Sequence, residues 1–372
     1  MPSAERITAA MESAVRSGVF PGAVLFVRAC GRVVYHRAVG SAALMPEREP
    51  ASVETIYDLA SLTKPLATTS AVLCLIQQGR LLLDARLGDL LDEVRGRPLG
   101  EATLWHLLNH SSGLPAWRPF HERLAGREHA QPSPLNGDRA ARLMLDLIRT
   151  EPLLYPMGSR SMYSDLGFML LGFIVERASG EPLDVFCRAR VHEPLGATPL
   201  FYLRTGSTPS GLPVELDRIA PTERDDWRGR ILRAVVHDEN AYALGGVAGH
   251  SGLFGTAEAV AAVSGAWLAG ALGWAGCFDP TLVRRFVTRQ STPSTSWGLG
   301  WDTPSAPSSS GTRFSSSSFG HLGYTGTSLW IDPTRELEVI LLSNRVHPTR
   351  RNDAIRQFRP LIHDLVYEEF VD

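Results

Sequence analysis

Apolar residues return with two periods along this chain. Over residues 5–17 and 352–370 they recur every three to four positions, which predicts an amphipathic helix near each end. The runs Ala23–Val27 and Val33–Val39 flank Gly31, and Ser328–Ile331 and Leu337–Leu342 flank Asp332-Pro333-Thr334-Arg335, so each pair reads as a β-hairpin. Between the hairpins the period changes. Residues 61–78, 103–109, 138–150 and 165–178 carry helical spacing and are separated by Pro- and Gly-rich turns such as Ser112-Gly113-Leu114-Pro115. Strands at both termini imply one shared antiparallel sheet, with a mainly helical lobe inserted in the middle. The Ser-rich run from Pro304 to Ser318 reads as a flexible loop between strands. No internal repeat is visible.

The pattern predicts an α+β chain forming a single domain over 1–372. An α/β lobe would take approximately 1–60 and 255–372, a mainly helical lobe approximately 61–254, and the site would lie between them. With 44% apolar and 20% charged residues the composition is that of an ordinary globular protein. A net charge of −2 offers no field for a polyanion, which argues against nucleic acid or an anionic membrane as partner. No run of about 18 apolar residues predicts a transmembrane helix. The start, Met1-Pro2-Ser3-Ala4-Glu5-Arg6, lacks the basic region and apolar run of a secretory signal, so a cytoplasmic protein is expected. Cys30, Cys74, Cys187 and Cys277 stand far apart without CxxC pairing, which predicts buried free thiols rather than disulfides or a zinc site.

The candidate chemistry begins at Ser61-Leu62-Thr63-Lys64, where the extended stretch Thr55–Leu59 gives way to a helix. Positions three apart share a helix face, so the Lys64 ammonium can reach the Ser61 hydroxyl, and the helix N-terminus favours oxyanion charge nearby. Pro65 is tolerated only in a first turn, which sets the helix start near Ser61. A serine becomes a useful nucleophile when a neighbour takes its proton, and a lysine does so when burial lowers its pKa. The tetrad alone is weak, because a capping serine followed by a solvated lysine gives the same letters.

Tyr163-Ser164-Asp165 lies about a hundred residues downstream, before a helix, and His321-Leu322-Gly323 precedes a predicted strand over Tyr324–Ile331. In type, order and spacing these three segments resemble the SxxK, YxN and KTG motifs of the serine penicillin-recognising family of β-lactamases and penicillin-binding proteins. Leu104–Pro115, Gly245–Phe254 and Gly323–Ser328 resemble its class C and esterase-like branch, and the likeness spans roughly residues 5–370. The resemblance implies a β-lactamase/transpeptidase-like fold and a site without metal or organic cofactor. It also implies acylation of Ser61, proton transfer shared by Lys64 and Tyr163, and an oxyanion hole from the backbone N–H groups of Ser61 and Tyr324. Asp165, His321 and Gly323 would contact substrate.

This chain departs from the pattern in three places. Asp165 stands where Asn is usual and exchanges an amide donor for a carboxylate. Leu322 stands where Thr or Ser is usual, removing a hydroxyl that would help hold a substrate carboxylate, and His321 replaces the usual lysine, a substitution that resembles esterase-like and peptidase-like members. An efficient β-lactamase is therefore not expected. Ser251 in Gly249-His250-Ser251-Gly252 resembles a nucleophile elbow but fails GxSxG at Leu253, so backbone packing near the cleft is expected. His237-Asp238-Glu239 reads as a hydrogen-bonded turn, His110 as a helix-end or core histidine, and Trp227 and Trp297 as possible cleft walls.

The expected function is a serine hydrolase cleaving an ester or an amide/peptide bond of a small molecule or short peptide, with muropeptide turnover as one setting and carboxylesterase action as the alternative. Val236–Ala241 and the Gly-Gly-Val-Ala-Gly-His stretch resemble members linked with muropeptide turnover. A non-catalytic sensor or scaffold is the remaining rival, which the intact Ser61, Lys64 and Tyr163 set disfavours. The oligomeric state is not readable from the sequence.

Overall fold

The computed structural model describes residues 4–124, 137–206 and 211–371. Helix α1 (Glu5–Arg16) leads into strands β1 (Gly22–Ala29), β2 (Arg32–Ala43), β3 (Glu49–Pro50) and β4 (Tyr57–Asp58). Then come α2 (Ser70–Gln77), α3 (Leu104–Leu108), α4 (Asp165–Ser179), β5 (Leu200–Tyr202), α5 (Glu239–Ala243) and β6 (Leu253–Gly255). The chain closes with α6 (Ala257–Leu272), β7 (Phe319–Leu322), β8 (Ser328–Asp332), β9 (Leu337–Ser343) and α7 (Ile355–Phe370).

Both chain ends contribute to one six-stranded antiparallel sheet, in the order β3-β2-β1-β9-β8-β7. Strand β1 is apolar at nearly every position because it is covered on both faces. Val24 and Phe26 join Ile340, Leu342, Leu329 and the residues of α6 on one side. Ala23, Leu25 and Val27 join Val339, Leu341, Trp330 and the inner faces of α1 and α7 on the other. The register, with Val24 opposite Leu342 and Leu25 opposite Leu341, keeps these two sets apart. A small sheet in the order β4-β6-β5 ties the entry to Ser61 to the segment that follows Gly249.

Four local expectations change. The segment after Ser61 is not a plain α-helix: a 3₁₀ turn at Ala60–Leu62 and a π-helical stretch at Lys64–Thr69 precede α2. Tyr324 is not in a strand, because Gly323–Thr327 forms a turn, closed by Gly326 N–H donating to Gly323 O with Gly326 at φ +117°, and β8 starts only at Ser328. The serine-rich run is fastened rather than flexible: Ser315 donates to Asp332 from both its N–H and its hydroxyl, and the Thr312 N–H donates to Asp364 on α7. Cys74 and Cys187 are buried free thiols, but Cys30 and Cys277 are exposed, one at the β1–β2 turn and one after α6.

Candidate functional site

Ser61 follows a strained position. Ala60 sits at φ +48°, costly for a residue with a Cβ, and is held there by its N–H donating to Asp58 Oδ1 at 2.9 Å. The other oxygen of buried Asp58 takes the His237 N–H at 2.7 Å, so this carboxylate joins two segments of the site.

Two groups donate to the Ser61 hydroxyl: Lys64 Nζ at 3.0 Å and the Tyr163 phenol at 2.7 Å. Lys64 is fully buried and donates also to Asp165 Oδ1 at 2.6 Å and to the His250 carbonyl at 3.0 Å. Burial pushes its pKa down, and Asp165 opposes that shift. Burial, and then the Asp165 charge, hold the Tyr163 phenol well above its ordinary value, so it rests protonated.

Tyr163 is aimed by its surroundings. Its ring lies 4.8 Å from the His110 ring, 5.6 Å from Trp297 and 6.1 Å from His321. His110, at φ +59°, accepts the Ser164 N–H on Nδ1 at 3.1 Å, and its carbonyl accepts the Met162 N–H at 2.9 Å. Ser164 caps α4 by accepting the Gly167 N–H and donates its hydroxyl to Pro115 O at 2.7 Å. The stretch 109–116 is thus the mould for Tyr163-Ser164-Asp165, and His110 is a core histidine with a positioning task.

The 323–327 turn is sewn to the backbone just before Ser61. Thr325 Oγ1 donates to Asp58 O at 2.7 Å and Thr327 Oγ1 to Leu59 O at 3.0 Å. A Cβ on Gly323 would collide with Thr327 Oγ1 and Leu59 O, so only glycine allows this approach. Arg345 holds the Tyr324 carbonyl at 2.9 Å, and Arg359 holds the Gly323 and Thr327 carbonyls, both at 2.8 Å. These ties fix the backbone of Ser61 and Tyr324 in one cavity of about 580 Å³, whose wall also carries Tyr163, Asp165, His321 and Gly323. All seven sequence-selected positions therefore meet: six line the cavity, and Lys64 lies beneath Ser61.

His321 is neutral. Burial and the nearby Lys64 push its pKa down to about 3, and the Leu322 carbonyl accepts its Nδ1–H at 2.8 Å. It supplies no cation to offset Asp165, whose carboxylate is engaged by Lys64 instead. Trp297 lines the cavity, whereas Trp227 packs between His121 and Tyr242 away from the lining. Ser251 shares the cavity, yet no hydrogen bond joins its hydroxyl to any described residue. Its neighbours are held by packing: the Gly249 carbonyl accepts Thr68 Oγ1 at 2.6 Å, and a Cβ on Gly249 would collide with Phe168 O on α4. Among the described residues no three His, Cys, Asp or Glu side chains gather as a metal site.

Sequence reasoning missed the Asp238–His250 pair at 2.8 Å, which steadies the loop that supplies the His250 carbonyl to Lys64. It also missed the buried Asp58 that joins Ala60 to His237, and, on the cavity wall, Asp302 and the arginines at 345, 350, 356 and 359. Only the glycine-rich stretch before His250 gave a local signal.

A model of the beta-lactamase family matches residues 6–362. A protein of Escherichia coli strain K12, provisionally named a D-alanyl-D-alanine carboxypeptidase, is 33% identical over 361 residues, covering 88% of this chain and 79% of its own length. A Salmonella typhimurium protein of the same provisional name is 30% identical over 369 residues, covering 90% and 81%. Among solved structures, EstCE1, a hydrolase with promiscuous acyltransferase activity, superposes with a TM-score of 0.72 at 24% identity over 96% of this chain and 98% of its own. The penicillin-binding protein homologue from Pyrococcus abyssi gives 0.72 at 21% identity over 96% and 77%. At these identities the two structures establish the fold.

Proposed function

Because the chain belongs to the β-lactamase family of serine hydrolases, we propose that it cleaves an ester or amide bond through an acyl-enzyme on Ser61. One observation carries this reading: the Ser61 hydroxyl lies 3.0 Å from Lys64 Nζ and 2.7 Å from the Tyr163 phenol. Two of the three partners of Lys64, the Asp165 carboxylate and the His250 carbonyl, can only accept. A neutral amine spends both N–H bonds on them and is left with its lone pair facing Ser61. Burial lowers the cost of reaching that neutral form.

In this scheme Ser61 passes its proton to Lys64 as Oγ attacks the carbonyl carbon. The negative oxygen is stabilised by the backbone N–H groups of Ser61 and Tyr324. The C–O or C–N bond then breaks, and the leaving group takes its proton through Tyr163 and Lys64. Water repeats the sequence on the acyl-enzyme with the same residues.

Short peptides of cell-wall type are the favoured substrates, supported by the provisional carboxypeptidase names of relatives at 30–33% identity. Carboxylester cleavage is the second reading. Asp165 held by Lys64 and the apolar Leu322 withhold the amide and hydroxyl that would grip an amide substrate. Ser61→Ala tests the core of the proposal. Turnover of a chromogenic ester should fall at least about a thousandfold with unchanged circular dichroism, and a fluorophosphonate should label Ser61. Labelling at Ser251 would refute it. Parallel assays of esters, muropeptides and a cephalosporin separate the substrate classes.

A further inference from the structure

Several charged groups on the cavity wall have close partners. Arg350 meets Glu239 at 2.7 Å, Asp165 is spent on Lys64 at 2.6 Å, and Asp238 Oδ1 is held by the His250 ring at 2.8 Å and by the Ala241 N–H at 2.7 Å. Four wall groups are left over. Arg345, Arg356, Arg359 and Asp302 make no ion pair with any described residue.

The leftover groups are segregated by sign along β7. Asp302 exchanges backbone hydrogen bonds with Gly320 at 2.8 and 2.9 Å, which puts it at the strand's upstream end. The arginines gather at the other end: Arg345 and Arg359 hold the 323–327 turn, and exposed Arg356 precedes Arg359 by three residues on α7. At the usual rise of a strand, Gly320 and Tyr324 stand on the order of 10 Å apart. Ser61 belongs to the stretch between, through Tyr163 against His321 and through the threonine ties to residues 58 and 59.

Neither end has an ion-pair contact among the described residues, although Arg289 and Asp353 act on Asp302 and Arg345 from farther off, and a ligand could supply that contact. Arg359 is buried, its Nε has no partner, and burial together with Arg345 and Arg356 pushes its pKa down to about 9. At the opposite end burial pushes the Asp302 carboxyl up to about 6. Asp302 accepts the Thr303 N–H and a hydrogen bond from the Ser296 side chain, while the nearby Arg289 guanidinium, which bears on Asp302 only at longer range, is engaged by Thr303 Oγ1 and Pro304 O. Trp297 is paired across from Asp302 in an antiparallel bridge, so both side chains lie on one face, and its ring offers a surface to a cation. His321, the other titratable neighbour, is neutral.

We propose that the cavity selects a zwitterionic substrate: an ammonium held by Asp302 beside Trp297, a carboxylate held by Arg356 and Arg359, and the scissile carbonyl at Ser61 between them. The proposal rests on the acyl-transfer reading above and narrows its substrate to short, doubly charged molecules, such as peptide fragments of two or three residues with free amino and carboxyl groups.

Linear ω-amino acids test it independently of which side leaves. Inhibition of neutral-ester turnover by 8-aminooctanoate is compared with inhibition by octanoate and by octylammonium, which share its alkyl chain. The zwitterion should bind at least about tenfold more tightly than either single ion. Asp302→Asn should erase its advantage over octanoate, and Arg356→Gln should cut its advantage over octylammonium. Each ratio is taken within one protein, so a general loss of activity cancels, and the wild-type ratio needs no variant. Equal inhibition by all three compounds, or an unchanged ratio in Asp302→Asn, would overturn the proposal while ester turnover still depended on Ser61. Ester turnover surviving in Ser61→Ala would instead sink the acyl-transfer reading.

Discussion

Replacing Asp165 by Asn leaves the shape of the site and removes one charge, so it asks directly what sets the protonation of Lys64. The carboxylate lies 2.6 Å from Nζ, and Asp165 opposes the downward pull of burial on the lysine. An opposite charge at such range shifts a pKa by roughly 1–3 units, or about 1.4–4 kcal/mol. The Asp165 side chain is 17% exposed, so solvent screens part of that effect. The sign follows from the charge. Without the carboxylate the ammonium is less favoured, the lysine pKa falls, and the neutral base is present at lower pH. The acid limb of kcat/KM against pH for an uncharged ester, which reports the base in the free enzyme, should therefore move downward in Asp165→Asn. His321 cannot mimic that limb, since burial holds its pKa near about 3. An acid limb that stays in place or moves upward would refute the assignment of Lys64 as the base whose charge Asp165 controls.

Three further outcomes are expected. Lys64→Ala and Tyr163→Phe should each impair ester turnover severely, and the double variant should lose much less than the product of the two, because both groups act on the single proton of Ser61; multiplicative losses would show independent roles. Gly249→Ala should destabilise the fold by at least about 2 kcal/mol, seen as a Tm lowered by several degrees, because the added methyl meets backbone of α4 rather than a movable side chain; an unchanged Tm would mean that the loop and helix separate freely. Cephalosporin hydrolysis should be far weaker than ester hydrolysis, and Asp165→Asn with Leu322→Thr should raise the cephalosporin-to-ester ratio by about one to two decades; wild-type cephalosporin rates rivalling those of the best ester would contradict that.

Features that depend on near neighbours along the chain are legible in its residues. Two hairpins, the helices at each end and the one-turn spacing of Ser61 and Lys64 follow from periodicities of two and of three to four residues, which burial of one face or one stripe imposes locally. The motif segments at 163–165 and 321–323 were legible as a set, and with them the family and its fold. The same periodicities could not locate the turn at 323–327, where threonine ties to residues 58 and 59 outweigh the pull of the strand. Tertiary structure alone decided the chemistry of Lys64. Its partners Asp165 and His250 stand 101 and 186 residues away in sequence, and its complete burial comes from elements distant along the chain. The same holds for the wall of unpaired arginines facing Asp302. A charge is compensated or left exposed by whichever segments the fold brings beside it, and a linear pattern records neighbours along the chain rather than across a cavity.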